Sequence, residues 1–160
     1  MAGTPDSPTI HATAVLVGAR AVLIRGPAGS AKSRLALQLL QAAEAGLIRF
    51  ARLVADDRVY LEAVNGVLLA RPPEVLAGLI EIRGLGLRRL PFEPVAAVGW
   101  VVDLAAADAS RLPQPSALST TIEGICVPRL AVAQNIDPIA PVLTFLCEQK
   151  GSSAGLDGPT

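Results

Sequence analysis

Ala21-Val22-Leu23-Ile24-Arg25 runs directly into Gly26-Pro27-Ala28-Gly29-Ser30-Ala31-Lys32-Ser33, and a leucine-rich stretch carries on to about Ala45. The first segment is an apolar strand. In the last, Leu35, Leu37, Leu39 and Leu40 recur among good helix formers until Gly46 supplies a stop. The order strand, glycine-containing loop, helix is the signature of an α/β domain whose loop cradles phosphate. Consecutive backbone N–H groups of such a loop form an anion nest, reinforced by the positive end of the helix dipole. Lys32 supplies a mobile point charge for the β- and γ-phosphates, and the Ser33 hydroxyl suits a bridging Mg²⁺. Gly26 through Ser33 is therefore the expected ATP-binding segment. The pattern G-x-x-x-x-G-K-S is met except at Ala31, which stands in place of the second glycine. A Cβ there strains the backbone by roughly 1–2 kcal/mol if φ is positive. A bland alternative remains: a Gly/Ser loop that merely caps a helix.

Outward from this unit, Ala12 to Val17 with Gly18-Ala19 makes a hairpin with the strand that feeds the loop. Ala51 to Ala55 is a short apolar run ending in Asp56-Asp57. Asn65-Gly66 between two β-rich runs is a strong hairpin signal. Pro72-Pro73 breaks the chain, Glu74 to Leu79 reads as a short helix, and Ile80-Glu81-Ile82-Arg83 as an extended piece closed by Gly84-Leu85-Gly86. Val95 to Leu104 is the most apolar strand. Residues 105–119 read as a surface connection, Gly124 to Ala133 as one strand, and Ile139 to Cys147 as a helix. The expected organisation is a flexible N-terminus over 1–9, one domain over 10–148 and a disordered tail over 149–160.

Composition narrows the function. Fourteen basic residues balance fourteen acidic ones, which removes the positive field of a nucleic-acid binder. The N-terminus lacks the charged and apolar blocks of a secretory signal, and no run reaches the roughly eighteen apolar residues of a membrane span. A cytoplasmic protein with neither nucleic-acid nor membrane partner is expected. Cys126 and Cys147 show no paired metal-ligand spacing and read as reduced core residues.

Phosphoryl transfer needs an acid for the metal, a base for the attacking hydroxyl and cations for the developing charge. Asp56 and Asp57, at a strand end, can divide the first two roles; the bland alternative is a turn capping the hairpin that follows. Glu81 and Arg83, two apart in an extended chain, project to one face. That face is either a site wall or a solvent-exposed ion pair. His11, the one histidine, starts the first strand. Taken alone it is an ordinary surface or core residue.

Together His11, the phosphate loop, Leu53-Val54-Ala55-Asp56-Asp57 and Ile80-Glu81-Ile82-Arg83-Gly84-Leu85-Gly86 resemble the catalytic domain of HPr kinase/phosphorylase. The I-E-I-R-G-L-G string is the specific part of the likeness, and the short, mainly alphaproteobacterial form without an amino-terminal domain is the one resembled. The resemblance implies a P-loop-containing mixed sheet with flanking helices, HPr kinase/PEP carboxykinase-like. It also implies ATP- and Mg²⁺-dependent phosphorylation of a serine on an HPr-type phosphocarrier protein, its phosphorolytic reversal, and a homo-oligomer, specifically a hexamer. By the same resemblance Lys32 contacts phosphates, and Ser33 and Glu81 hold the metal with Asp56 sharing metal or base duty. Asp57 is the implied base, and His11, Arg83 and Arg111 are the remaining catalytic residues.

The chain departs from the family pattern at Ala31, at Arg34, where an acidic residue is frequent, and in extra residues between the loop and Asp56-Asp57. In the region around Val127 to Val132 only Arg129 matches the family's dephosphorylation loop. Two other functions fit the residues: a P-loop kinase for a small hydroxylated metabolite, and a nucleotide-sensing module with little turnover.

Overall fold

The computed structural model describes residues 8–152. Most of the expected flexible N-terminus and residues 153–160 of the expected tail lie outside that range. Ten strands and two helices follow one another as β1 (Ala12–Val17), β2 (Arg20–Arg25), α1 (Lys32–Glu44), β3 (Ala51–Ala55), β4 (Tyr60–Val64), β5 (Val67–Arg71), β6 (Leu79–Ile82), β7 (Gly86–Arg89), β8 (Ala96–Leu104), β9 (Ser119–Ile122), β10 (Ile125–Val132) and α2 (Ile139–Ser152). The mixed α/β architecture expected from the sequence is the one observed. No helix among the described residues is long and apolar enough to cross a membrane.

The main sheet has the order β3-β1-β2-β8-β10-β9, and the β4-β5 hairpin joins it through β5 and the start of β8. β1 is antiparallel to β2 and to β3, whereas β2, β8 and β10 are mutually parallel. One consequence positions everything that follows. The carboxyl ends of β2, β3, β8 and β10 and the amino end of β1 all emerge at one edge, where open α/β sheets place their ligand crevice.

Both faces of the sheet are covered, which is why its central strands are almost wholly apolar. Along β2, Val22 and Ile24 enter one core with Leu35 and Leu39 of α1 and Val142 and Leu146 of α2. Ala21 and Leu23 enter a second core with Leu61 and Leu68 of the β4-β5 hairpin. α1 buries Leu35, Ala36, Leu39 and Ala42 on one stripe. It ends in a Schellman motif: Gly46, at φ 78°, donates to Ala43 O and Leu47 N donates to Ala42 O at 2.9 Å.

Several local expectations are corrected. Glu74 to Leu79 forms only a 3₁₀ turn over Glu74–Leu76, because Gly78, at φ +75° and close against the Phe92 ring, turns the chain into β6. β7 and β9 were not anticipated. Each completes a two-stranded hairpin, with β6 and β10 respectively. α2 continues through Ser152, into the segment expected to be a disordered tail. Cys126 and Cys147 are free but exposed rather than core. Each sits beside a buried neighbour, Val127 and Leu146, on the residue that strand alternation or helix rotation turns outward.

Across β2, β8 and β10 runs an ionic network. Asp103 accepts from Arg25 Nε at 2.7 Å and Nη2 at 2.8 Å and from Arg129 Nε at 2.6 Å. The guanidinium of Arg129 also grips Asp108 at 2.7 and 2.9 Å and the carbonyl of Ala117 at 3.1 Å, tying down the 105–118 loop. Arg129, expected as a remnant of a dephosphorylation loop, is thus committed to holding strands and loop together. Burial alone would raise the Asp103 carboxyl, but the hydrogen bonds and charges of Arg25 and Arg129 outweigh it and hold the carboxyl below its ordinary value of 3.8. A group depressed in this way binds fewer protons folded than unfolded. Its contribution is present above pH 3.8 and is lost as pH falls through the folded value. Asp103→Asn should cost about 3 kcal/mol in urea denaturation at pH 7, because the partly buried guanidinium of Arg25 loses its counter-ion and that of Arg129 loses one of its two. The variant should also show a shallower loss of stability below pH 4 than the parent, a pH on the order of the ordinary carboxylate value.

Candidate functional site

The phosphate loop connects the end of β2 to α1, as its sequence requires. Gly26 packs so tightly that a Cβ would meet Ser30 Oγ at 2.5 Å and the Leu104 carbonyl at 3.1 Å. Ala31 is the N-cap of α1 with φ 70° and ψ 36°, the left-handed conformation that its missing glycine would have adopted without cost. No side chain caps the helix and no acidic residue lies in its first turn. The amide groups there remain open to an external anion. Lys32 is buried at 7% exposure, and its Nζ donates to Gly26 O at 2.9 Å and Pro27 O at 3.1 Å. Burial lowers its pKa, an effect that the charges of Asp56 and Asp57 oppose without cancelling.

Asp56 and Asp57 follow β3 at the same edge. Asp56 is buried at 5% exposure, and its Oδ1 accepts from Ser33 Oγ at 2.6 Å and Thr13 Oγ1 at 2.9 Å. Its Oδ2 faces the backbone N–H of Glu81 at 3.4 Å. One carboxylate therefore joins β1, α1, β3 and β6. Thr13 was not singled out in the sequence; its only signal is a hydroxyl inside an otherwise apolar strand. Ser33 and Asp56 are hard oxygen donors side by side at a helix start. A small divalent cation that keeps several waters and takes the rest of its shell from phosphate needs only one or two protein carboxylates, so the pair fits Mg²⁺. Among the described residues no group of three or more His, Cys, Asp and Glu side chains assembles. The donor set suits a cation shared with phosphate, not an all-protein cage.

Asp57 differs from its neighbour in every respect that matters for proton transfer. Its side chain is 64% exposed, it lies at φ 71°, and its Oδ1 stands 3.2 Å from His11 Nε2. Five non-glycine residues among those described have positive φ. Asn65 and Glu123 sit in hairpin turns, whereas Ala31, Asp57 and Ala105 follow three strands at the crevice edge. Strain concentrated in this way marks a site whose geometry is over-determined by its surroundings.

The remaining expected residues are less tightly gathered. Glu81 is exposed on β6, with its backbone tied to Asp56. Arg83 lies in the turn after β6, so the strand alternation expected to put it on the Glu81 face stops one residue too early. Arg111 is exposed in the loop that Arg129 anchors. Neither arginine makes an ion pair among the described residues. The extra residues between loop and acids do not disturb the site, since β3 still pairs with β1 and delivers Asp56 to Ser33.

Residues 5–90 match the family model of the HPr serine kinase C-terminal domain. The chain belongs to that family. The HPr kinase/phosphorylase of Clostridium beijerinckii is 37% identical over 78 residues, which is 49% of this chain and 24% of that protein. The one from Clostridium tetani is 38% identical over 82 residues, 51% of this chain and 25% of the other. The match thus spans about a quarter of the length of these curated relatives. Beyond Leu90 the likeness is carried by structure. The HPr(Ser) kinase/phosphatase from Coxiella burnetii superposes with a TM-score of 0.74 at 25% identity, covering 93% of this chain and 100% of that one. The matched part of the sequence contains His11, the whole phosphate loop, both aspartates, Glu81 and Arg83.

The left-handed Ala31 gives a direct test of the strain. Ala31→Gly should stabilise the protein by about 0.5–1 kcal/mol, the relief at φ 70° less the added freedom of glycine in the unfolded chain. In a thermal melt that is a rise of about 1–4 °C; an unchanged or lower midpoint would show that no strain is stored there.

Proposed function

We propose that this chain transfers the γ-phosphoryl group of ATP to a serine hydroxyl of an HPr-type phosphocarrier protein, and that the same site runs the transfer backwards by phosphorolysis. The observation that carries this is the division of labour between adjacent aspartates: Asp56 buried and bonded to Ser33, Asp57 exposed and facing His11. In a Mg²⁺-dependent reaction Ser33 and Asp56, with Glu81 at the rim, would hold the cation. Held there, the cation would supply positive charge against the negative charge that builds up on the phosphate oxygens.

The chain's own residues do the rest. Backbone amides at the start of α1 and the Lys32 ammonium bind and orient the phosphates. Asp57 accepts the proton of the attacking serine hydroxyl, and His11 fixes the orientation of that carboxylate. In phosphorolysis the phosphoryl group passes from the serine oxygen to inorganic phosphate, forming pyrophosphate, and Asp57 gives the proton that the serine oxygen takes up as its bond to phosphorus breaks. Arg83 and Arg111, which make no ion pair among the described residues, would meet the charge of the phosphoryl group or of the partner protein once that partner is docked. The exposure of Asp57 and His11, 64% and 40%, favours a hydroxyl presented on a protein surface over a metabolite enclosed in a pocket. Assembly as a homo-oligomer, a hexamer as in the resembled family, and residence in the cytoplasm complete the proposal.

Incubation with ATP, Mg²⁺ and the carrier should yield phosphoserine on the carrier. Asp57→Asn should lower kcat by about 10²–10⁴ with nucleotide binding retained, the usual contribution of a general base. Lys32→Ala should abolish the ATP-dependent thermal shift that the parent shows through RT ln(1 + [L]/Kd). Failure to phosphorylate the carrier while the thermal shift persists would leave a nucleotide-binding module and refute the kinase.

A further inference from the structure

A cleft of about 490 Å³ opens beside the phosphate loop, away from Asp56 and Asp57. One wall is the loop together with Ala31, Arg34 and Gln38, a single face of α1 at spacings of three and four residues. The opposite wall is the segment after β10, including Gln134, Asn135 and Asp137. Lys32, whose Nζ is tied to the carbonyls of Gly26 and Pro27, and Ser33, bonded to Asp56, do not line it. Among the described residues Arg34 is the one cation of this cleft. It is exposed and makes no ion pair among the described residues. The acid across from it, Asp137, accepts the backbone N–H of Ile139 at 3.2 Å at the start of α2. Ser30, also in the wall, has an Oγ shielded from solvent with no hydrogen-bond partner among the described residues.

A side chain in the first helical turn leans toward the helix N-terminus. Arg34 therefore leans back over the loop on the cleft side. We propose that Arg34 binds the non-transferred phosphate next to the ribose of a nucleoside di- or triphosphate, and that the cleft holds the nucleoside half. This rests on the nucleotide reading above and adds to it a specificity residue. With the transferred group fixed on the Lys32 and Ser33 side, facing Asp57, the rest of the nucleotide has to cross the loop and leave through the cleft. A guanidinium there rewards a ligand that extends past the loop and gives nothing to a lone phosphate.

The test is isothermal titration of the full chain with ADP and, separately, with inorganic phosphate, both in Mg²⁺ at fixed ionic strength. Arg34→Gln should weaken ADP about five- to tenfold, as loss of one charge-assisted contact does at a partly exposed site. Phosphate affinity should not change. Arg34→Lys, which keeps a charge but not the planar fork, should stay within about twofold of the parent. Equal ADP affinity in Arg34→Gln and parent would overturn the assignment, and so would a parallel loss for phosphate, which would mark a general field effect. A parent that binds no ADP at all would overturn both this inference and the nucleotide reading beneath it. Unaltered melting of the variants shows that the comparison concerns binding alone.

Discussion

The carboxylate of Asp56 is the constraint on which the rest of the site depends. A buried charge is expensive unless its oxygens are satisfied. Here the partners are two hydroxyls and a backbone amide drawn from β1, α1 and β6, elements otherwise joined mainly through apolar packing. None of the three carries a full charge. The nearest compensating cation, Lys32, is instead bonded to carbonyls of its own loop. The protein thus keeps an unneutralised carboxylate next to a lysine whose ammonium burial disfavours. Each is costly alone, and the cation and phosphate of the proposed reaction would offset both costs.

Holding the loop in register is a separate task, and the Asp103 network performs it. Arg25 is the last residue of β2 and the one immediately before Gly26. Its two bonds to Asp103 fix the end of the strand from which the loop springs. Arg129 locks the same carboxylate from the other side and reaches the loop carrying Arg111. Charge is used here where apolar packing is not available: the crevice edge must stay open to solvent, so hydrophobic contacts cannot clamp it.

Much of this was legible in the sequence wherever the signal is local. The strand, loop and helix from Ala21 to Ala45, the Asn65-Gly66 hairpin and the dangerous φ of Ala31 all follow from residues a few positions apart. What escaped depends on distant partners. Gly86–Arg89 is exposed throughout and carries a single leucine, so no period announces β7. Thr13 meets Asp56 across 43 residues and Arg25 meets Asp103 across 78. A threonine in an apolar strand and an arginine at its end look unremarkable until the sheet order brings their partners alongside. The cysteines were misjudged for a related reason: apolar neighbours in sequence say that a segment is packed, but the residue beside a buried one faces out.

The two strained aspartate and alanine positions are better understood together than apart. Ala31 turns the chain so that Ser33 enters the helix bonded to Asp56, and Asp57 turns it so that its carboxylate leaves the Asp56 environment for that of His11. An aspartate tolerates the left-handed region because its short polar side chain can bond locally, and the proposed base calls for a carboxylate at that place. Alanine has no such excuse. Its methyl group contributes no bond, and glycine would serve the turn better. Alanine favours negative φ, so residue 31 by itself pulls the loop away from its left-handed turn, and the turn persists because the surrounding elements, with Gly26 packed tightly against Ser30 and Leu104, over-determine it. Strain held in place by its surroundings in this way is the kind that clusters at binding and catalytic sites.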